Sequence, residues 1–166
     1  MRIVMMGTGS YAVPTLISLY GSAHEVAALV TRPDSGGPGG RETSINPLRQ
    51  LAVAEGTPIL DPEDVNSSTA QIALNHFSPE LLIVCDYGQI LAPETLNIAK
   101  QGAFNLHASL LPNYRGAAPI QWAIYHGETQ TGNTVIHMNS KLDAGPIVAQ
   151  QVVSIGPEET AFELEE

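Results

Sequence analysis

The chain has 166 residues, of which 43% are hydrophobic and 14% charged, and this length and composition fit one folded domain with a sizeable core. It carries 7 Lys and Arg against 17 Asp and Glu, for a formal net charge of −10, and five of these acids stand in the last nine residues. Such a charge argues against a self-sufficient nucleic-acid binder, which needs a basic surface, and against docking on anionic membranes.

Several absences in the sequence predict its compartment. No apolar run approaches the roughly 18 residues of a membrane span, and the apolar start of the chain is too short for a signal peptide. Cys85 is the only cysteine and lies in an apolar run, so we interpret it as a small buried side chain rather than a nucleophile. We therefore expect a cytoplasmic protein without an internal disulfide.

Strand-like and helix-like segments alternate along the chain. The sequence predicts seven strands, at Ile3–Met6, Glu25–Thr31, Thr57–Leu60, Leu81–Cys85, Ala103–His107, Thr134–Met138 and Ile147–Ile155. It predicts helices at Tyr11–Tyr20, after Asn46-Pro47, at Val65–Phe77 and at Pro119–Tyr125, and the first turns of a helix at Glu158–Glu166. A Gly- and Pro-rich loop is predicted at Arg32–Ser44. The early strands are apolar without alternation, which is typical of a parallel sheet covered by helices on both faces. The turn-rich stretch between the last two strands predicts an antiparallel pair at one edge.

Asn105 and His107 form the first candidate site. They stand at i and i+2 of a predicted strand and point to one face, whereas Phe104 and Leu106 point to the other. Ligands of open α/β sheets bind outside the carboxyl ends of the strands, where this pair lies. The pair is either functional or a set of buried polar side chains whose hydrogen bonds are satisfied internally.

Two further features follow this strand. The segment Ala108–Pro119 combines apolar residues and prolines, which is typical of a loop that lines a pocket. Its Arg115 either binds a carboxylate or phosphate or fixes the loop through backbone carbonyls. Asp143 precedes Ala-Gly-Pro and alone indicates an ordinary turn. It becomes a catalytic candidate if the fold brings it beside His107, where a carboxylate can hold or relay a proton.

Together these residues resemble the folate-dependent formyltransferases. The motifs that carry the resemblance are Asn105-x-His107-x-Ser109-Leu110-Leu111-Pro112, Arg115-Gly116-Ala117-Ala118-Pro119-Ile120, Gly132-x-Thr134-Val135-x-x-Met138 and Leu142-Asp143-x-Gly145-Pro146. Ile3–Thr8, Val30–Asp34 and Tyr87–Leu91 also match, so the resemblance covers about residues 1–160. The Arg115–Ile120 stretch is most similar to the branch of this family that acts on methionyl-tRNA.

The resemblance implies a fold, a reaction and three catalytic residues. The fold is a Rossmann-like open sheet, mostly parallel, and the reaction moves a formyl group from 10-formyltetrahydrofolate to the amino group of methionyl-initiator tRNA. Asn105 and protonated His107 would donate hydrogen bonds to the oxyanion that forms when the amine attacks the formyl carbon. Asp143 would keep His107 charged and help take the proton of the amine, directly or through water.

The same resemblance implies binding residues. Folate would contact two stretches of the chain, Tyr87, Gly88, Gln89, Ile90 and Leu91 in the first and Ser109, Leu110, Leu111 and Pro112 in the second. The acceptor would contact Thr8, Gly9, Arg41, Arg115 and Gly116. No metal is expected, because the other histidines belong to no cluster with zinc spacing, namely His24, His76, His126 and His137.

The sequence departs from this family in three places. Residues 1–166 are expected to form a single catalytic domain that is truncated in its last helix and has no C-terminal tRNA-binding barrel. The loop Asp34–Ser44 contains one basic residue, Arg41, where the family is usually rich in Lys and Arg. Asp86 stands where a small apolar residue is common. These departures bear on the tRNA acceptor and leave Asn105, His107 and Asp143 in place.

Three other functions stay open at this point. Family members that act on glycinamide ribonucleotide or amino sugars share the catalytic residues, so a small amine is an alternative acceptor. Gly7-Thr8-Gly9-Ser10-Tyr11-Ala12 fits a dinucleotide fingerprint and would suit an NAD(P)-dependent oxidoreductase, although no acid ends the second strand. A catalytically inert folate-binding module is the third.

Overall fold

The structure is a computed structural model that describes residues 1–33 and 46–165. Its described residues form seven strands in one sheet of order β3-β2-β1-β4-β5-β6-β7. In chain order the strands are β1 (Arg2–Gly7), β2 (Glu25–Val30), β3 (Ile59–Leu60), β4 (Leu81–Cys85), β5 (Ala103–His107), β6 (Gln130–His137) and β7 (Ile147–Ser154). The α-helices are α1 (Val13–Tyr20), α2 (Pro47–Ala54), α3 (Ser68–His76), α4 (Pro93–Leu96), α5 (Pro119–Tyr125) and α6 (Ala161–Glu165). The predicted α/β class is confirmed.

The chain divides into two compact units, Met1–Ala103 and Phe104–Glu166. In the first unit β1 pairs with β2 and with β4, and β2 pairs with β3, all in parallel. Beyond their first residues, β1, β2 and β4 have no polar face, because side chains on both faces pack in the core, whereas β3 is half-buried. The side chains at the centre of this core are Val4, Met5, Met6, Leu29, Val30 and Leu82.

The start of α2 shows how one side chain sets a helix boundary. Asn46 Oδ1 accepts hydrogen bonds from the backbone N–H groups of Leu48 (3.1 Å) and Arg49 (3.2 Å). Pro47 occupies the first helical turn, where its missing N–H costs nothing. The helix that Asn46-Pro47 predicts is therefore confirmed, with Leu48 buried in the core.

α3 begins later than its apolar pattern predicts. The hydroxyl of Ser67 caps the N–H of Ala70 at 3.3 Å, so the helix starts at Ser68 and not at Val65. Val65 is buried, but its N–H donates to Gln89 Oε1 at 3.0 Å outside any helix. The apolar stripe thus continues into a turn that packs on the core without helical hydrogen bonds.

Two short elements also differ from the sequence prediction. The predicted helix at Tyr11–Tyr20 opens as a 3₁₀ turn, Ser10–Ala12, before α1 begins. α4 is only four residues long and was not predicted, because such a segment is too short to show a helical period. Residues 34–44 of the predicted loop Arg32–Ser44 lie outside the described residues.

The second unit holds the antiparallel part of the sheet. β5 pairs with β6 and β6 pairs with β7, both antiparallel, which confirms the predicted edge pair. β6 begins at Gln130 and not at Thr134, since its register with β7 runs back to Ser154. In the pairing of β5 with β6, His107 lies opposite Thr134.

The predicted last helix is confirmed over Ala161–Glu165. Its first turn is a reciprocal capping box, in which Thr160 Oγ1 accepts from the N–H of Glu163 (3.3 Å) and Glu163 Oε2 accepts from the N–H of Thr160 (2.9 Å). The N–H and the hydroxyl of Thr160, which donate to Glu163 Oε2 at 2.9 Å and 2.8 Å, lower the pKa of the Glu163 carboxyl. No helix in the described part of the chain has the length and apolar character needed to cross a membrane.

Candidate active site

Asn105 and His107 end the strand β5 in the second unit, as the sequence predicts. His107 is 7% exposed and Asn105 is half-buried. A strand that paired on both sides and served only the core would not need two polar side chains on one face. Their position therefore indicates a site whose groups are largely shielded from water.

Asp143 reaches this pair from the connection between β6 and β7. Asn105 Nδ2 donates to Asp143 Oδ1 at 3.3 Å, and His107 Nδ1 lies 3.7 Å from Asp143 Oδ2. The side chains of His107 and Asp143 are 8% and 10% exposed. The structure thus brings the three predicted catalytic residues together, which the turn sequence of Asp143 alone could not establish.

A backbone amide completes the environment of Asp143. The N–H of Gly116 donates to Asp143 Oδ2 at 2.8 Å. Gly116 has φ +89°, and Asp143 itself has φ +43°, in the left-handed region that a side chain with a Cβ rarely adopts. Backbone strain of this kind persists only where surrounding contacts over-determine it, and it clusters at functional sites.

His107 is also held from its other side. Its Nε2 lies 2.9 Å from the backbone carbonyl oxygen of Tyr114, an acceptor, so Nε2 carries a proton and donates it. Nδ1 is left facing Asp143. The nitrogen that faces the acid is therefore the one available for proton chemistry.

Thr134 fixes the loop that follows β5. Its buried hydroxyl donates to the carbonyl oxygen of Ser109 (2.6 Å) and accepts from the N–H of Leu111 (3.1 Å) and from Gln150 Nε2 (2.9 Å). Gln150 Nε2 also donates to the carbonyl oxygen of Leu111 at 2.9 Å. Sequence reasoning placed Thr134 in a motif without a role and missed Gln150. The signal that could have identified Thr134 is a hydroxyl residue on the strand predicted to pair near His107, where an apolar side chain would be usual.

Two glycines, Gly132 and Gly145, allow neighbouring backbone segments of the second unit to approach each other closely. A Cβ on Gly132 would lie 2.0 Å from the carbonyl oxygen of Gln151 and 2.7 Å from Leu110 Cδ2. A Cβ on Gly145 would lie 1.9 Å from the carbonyl oxygen of His137. The first glycine therefore lets the 109–112 loop approach β6, and the second holds the Asp143 connection against the end of β6.

Replacing Thr134 by valine should lower the free energy of unfolding by roughly 1–3 kcal/mol, because it leaves the buried carbonyl oxygen of Ser109 and the buried N–H of Leu111 without this hydrogen-bond partner. Urea denaturation measures this change. Thr131→Val is the matched control on the same strand, since the Thr131 hydroxyl is buried without a partner among the described residues. That control should leave stability unchanged or raise it. Equal losses in both variants would contradict the assignment.

The first unit contains the other predicted donor-binding stretch, Tyr87–Leu91. Tyr87 and Leu91 are buried, whereas Ile90 is 74% exposed. Asn66 holds the stretch, because its Nδ2 donates to the carbonyl oxygen of Ile90 (2.8 Å) and its Oδ1 accepts from the N–H of Ala92 (2.8 Å). Burial raises the pKa of the Tyr87 phenol to about 12, so that group remains protonated at neutral pH. Any contact from Tyr87 to a ligand in this conformation would use its backbone.

The turn with the dinucleotide-like fingerprint is filled by a side chain. A Cβ on Gly9 would lie 1.8 Å from Asp86 Oδ2, so this carboxylate packs directly against the turn. Thr8 is tied to the same stretch, since its N–H donates to the carbonyl oxygen of Asp86 at 3.0 Å. A carboxylate at this position repels the pyrophosphate that the fingerprint binds in dehydrogenases. The geometry therefore disfavours the oxidoreductase alternative.

The remaining predicted site residues have diverse surroundings. Arg41 lies outside the described residues. Arg115 is exposed, and Pro112 is exposed at the end of the loop that Thr134 fixes.

Burial raises the pKa of the Cys85 thiol to about 12, which leaves very little nucleophilic thiolate at neutral pH. Among the described residues no group of three or more His, Cys, Asp or Glu could hold a metal ion.

The sheet and the Asn-His-Asp site together define an α/β protein in which a carboxylate from the β6–β7 connection meets an amide and an imidazole at the end of β5. Over residues 1–166 the chain matches the family described as Formyl transferase, and it belongs to that family. The resemblance that its motifs indicate is confirmed.

The curated relatives that match this chain include two methionyl-tRNA formyltransferases. The methionyl-tRNA formyltransferase of Pelotomaculum thermopropionicum is 43% identical over 161 residues, which are 97% of this chain and 51% of that protein. The methionyl-tRNA formyltransferase of Moorella thermoacetica is 43% identical over 164 residues, which are 99% of this chain and 53% of that protein. The chain therefore spans about half the length of the curated relatives it matches.

Solved structures agree on the fold. The phosphoribosylglycinamide formyltransferase of Bacillus halodurans matches with a TM-score of 0.80 at 24% identity, over 99% of this chain and 85% of that chain. This likeness confirms the Rossmann-like arrangement, and at this identity it bears on the fold alone.

Proposed function

We propose that this chain carries the formyl-transfer site of an enzyme that moves a formyl group from 10-formyltetrahydrofolate to the amino group of methionyl-initiator tRNA. The observation that carries the proposal is the approach of Asp143 to both polar side chains at the end of β5, 3.3 Å from Asn105 Nδ2 and 3.7 Å from His107 Nδ1. The family match supports the reaction, and the names of the curated relatives support the acceptor.

The donor supplies an activated formyl carbon, and the second unit has groups that fit such a substrate. The 109–112 loop presents Leu110 and Pro112 with partial or full exposure, and Thr134 and Gln150 hold its backbone. An apolar wall on a fixed backbone suits a flat heteroaromatic ring. We propose these loop residues, Ser109–Pro112, as donor contacts.

The first unit offers a second proposed donor contact. The backbone of the Tyr87–Leu91 stretch is fixed by two hydrogen bonds. Asn66 Nδ2 donates to the carbonyl oxygen of Ile90, and Gln89 Nε2, within the stretch, donates to the carbonyl oxygen of Pro62 at 3.2 Å. Exposed Ile90 supplies an apolar surface. Fixed backbone N–H and C=O groups beside an apolar side chain are suited to the amide-like edge of a pterin.

Asn105 and His107 would stabilise the negative charge that develops on the formyl oxygen. The Asn105 amide has two N–H groups, and only one is needed for its bond to Asp143. The 3.7 Å between His107 Nδ1 and Asp143 is too long for a hydrogen bond, so the Nδ1–H of a protonated imidazole is free to donate elsewhere. Two such donors in a shielded site are the usual means of stabilising an oxyanion.

Asp143 would provide the negative charge that balances a protonated His107 and would receive the proton that the acceptor amine loses. Its Oδ2 is oriented by the N–H of Gly116, and its Oδ1 by Asn105. A carboxylate held at both oxygens keeps one geometry through the reaction, which favours proton transfer directly or through one water. We propose Thr8, Gly9, Arg41, Arg115 and Gly116 as contacts of the acceptor.

Transfer of label from formyl-labelled 10-formyltetrahydrofolate to defined acceptors tests the proposed function. We expect label on methionyl-initiator tRNA and none on the uncharged tRNA, because only the first has a free α-amino group. Glycinamide ribonucleotide is the small-amine control. Label on that compound alone would assign the chain to a small amine.

A binding measurement separates the remaining outcomes. Folate binding with no transfer to either amine would indicate an inert module, and binding of NADPH without folate would restore the oxidoreductase interpretation. The dependence of tRNA affinity on salt grows with the number of phosphates that Lys and Arg neutralise, and the chain has only 7 Lys and Arg, so its transfer to tRNA should depend weakly on salt.

A further inference from the structure

The tautomer of His107 depends on a contact outside the three proposed catalytic residues. Nε2 lies 2.9 Å from the Tyr114 carbonyl oxygen, whereas Nδ1 lies 3.7 Å from Asp143 Oδ2. In the neutral imidazole these two acceptors compete for one proton, and the shorter contact keeps it on Nε2. A displaced Tyr114 carbonyl would let the proton move to Nδ1, toward the carboxylate.

The backbone of Tyr114 needs help to keep its carbonyl in place. Its φ is +53°, in the left-handed region, which is unfavourable for any residue with a Cβ. The Tyr114 side chain makes two contacts. Its hydroxyl donates to Glu128 Oε1 at 2.5 Å, and its ring centroid lies 5.7 Å from the ring centroid of His126. These contacts over-determine a conformation that the backbone alone would leave.

Glu128 is a suitable anchor because its own backbone is fixed. It follows Gly127, whose φ is +67°, and its N–H donates to the carbonyl oxygen of Ala123 in α5 at 3.1 Å. β6 begins two residues further on, at Gln130. The hydrogen bond from Tyr114 also raises the pKa of the Tyr114 phenol, so the O–H remains a donor at neutral pH and above.

We propose that the hydrogen bond between Tyr114 and Glu128 positions His107, by fixing the backbone carbonyl that accepts from Nε2–H. This carbonyl decides which nitrogen carries the proton in the neutral imidazole and orients the ring when the imidazole is protonated. Both are positioning residues, since their effect passes through the backbone and requires no contact with a substrate. The consequence for turnover rests on the proposed function, whereas the tautomer is a property of the folded chain by itself.

Long-range ¹⁵N–¹H correlation spectra of the histidine-labelled 166-residue chain read the tautomer directly. His107→Ala identifies the signals by their loss. At a pH where the imidazoles are neutral, wild-type His107 should carry its proton on Nε2. Tyr114→Phe and Glu128→Ala should shift the tautomer ratio toward Nδ1–H by roughly 3–10-fold, as expected for the loss of one exposed charge-assisted hydrogen bond.

The controls separate this effect from general damage. Glu128→Gln keeps an acceptor oxygen, so its tautomer ratio should stay nearer to that of the wild type. This variant also tests the contact if Glu128→Ala does not fold. Tyr125→Phe removes the hydroxyl of an exposed tyrosine in α5 that makes no hydrogen bond among the described residues, and it should change nothing. Equal urea midpoints across the series show that the fold is intact.

Turnover gives the second measurement. In Tyr114→Phe we expect kcat for formyl transfer to fall roughly 3–10-fold with the KM for 10-formyltetrahydrofolate unchanged, because positioning affects the reacting geometry and not the donor contacts. A wild-type tautomer ratio in both Tyr114→Phe and Glu128→Ala overturns the proposal even if transfer is normal. A shifted ratio in a chain that transfers no formyl group supports the positioning role and contradicts the proposed function instead.

Discussion

Replacing His107 by alanine is expected to lower kcat for formyl transfer by roughly 10²–10³-fold, the usual loss when one donor to a developing oxyanion is removed. The imidazole is the only group in the described part of the second unit that contacts both Asp143 and the Tyr114 carbonyl. A water that fills the vacated space could not carry the positive charge that we assign to His107. Steady-state transfer assays at saturating donor and acceptor measure the change.

His76→Ala is the matched control, because His76 is an exposed histidine in the last turn of α3. It should retain wild-type turnover. His107→Ala also leaves the part-buried Tyr114 carbonyl oxygen and Asp143 with one partner fewer, so its free energy of unfolding should fall by roughly 1–3 kcal/mol. Assays must therefore be run well below its unfolding midpoint. Turnover within threefold of wild type in a folded His107→Ala chain would remove His107 from the mechanism.

The strands of the core could be predicted because burial on both faces leaves an apolar run in the sequence. Leu81–Cys85 and Ala103–His107 were located with their observed bounds for this reason. The polar pair of β5 was visible because it interrupts that pattern. Elements without a period gave no such signal, and α4 was missed because four residues cannot show one.

The candidate site was only partly predictable, since its parts are joined by the tertiary structure. Nothing local distinguishes Asp143 from an ordinary turn residue, and the contacts on which its proposed role depends, with β5 and with the N–H of Gly116, arise only in the folded chain. Backbone groups have no sequence signature at all, so the Gly116 amide and the Tyr114 carbonyl could not be found in advance. Family resemblance supplied the assignment of Asp143 where residue patterns could not.

Asp143→Asn should cost at least as much activity as the loss of His107, with kcat reduced by roughly 10²–10⁴-fold. The carboxylate accepts from Asn105 Nδ2 with one oxygen and from the Gly116 N–H with the other. An amide has a single oxygen, so in either orientation its NH₂ group faces one of these donors. The substitution also removes the negative charge next to a protonated His107 and the base that receives the amine proton.

The matched control for Asp143→Asn is Asp61→Asn, the same change in an acid that forms an ion pair with Arg49, where the Asp61 side chain is 50% exposed. Exposed ion pairs contribute about 0–1 kcal/mol, so this control should keep wild-type kcat and nearly wild-type stability. Donor KM separates two explanations for a loss at Asp143. A fall in kcat with donor KM unchanged places the carboxylate in the chemical step. A rise in KM with kcat retained would instead mean that Asp143 only shapes the loop through Gly116, and the proton-accepting role would have to be assigned to another group.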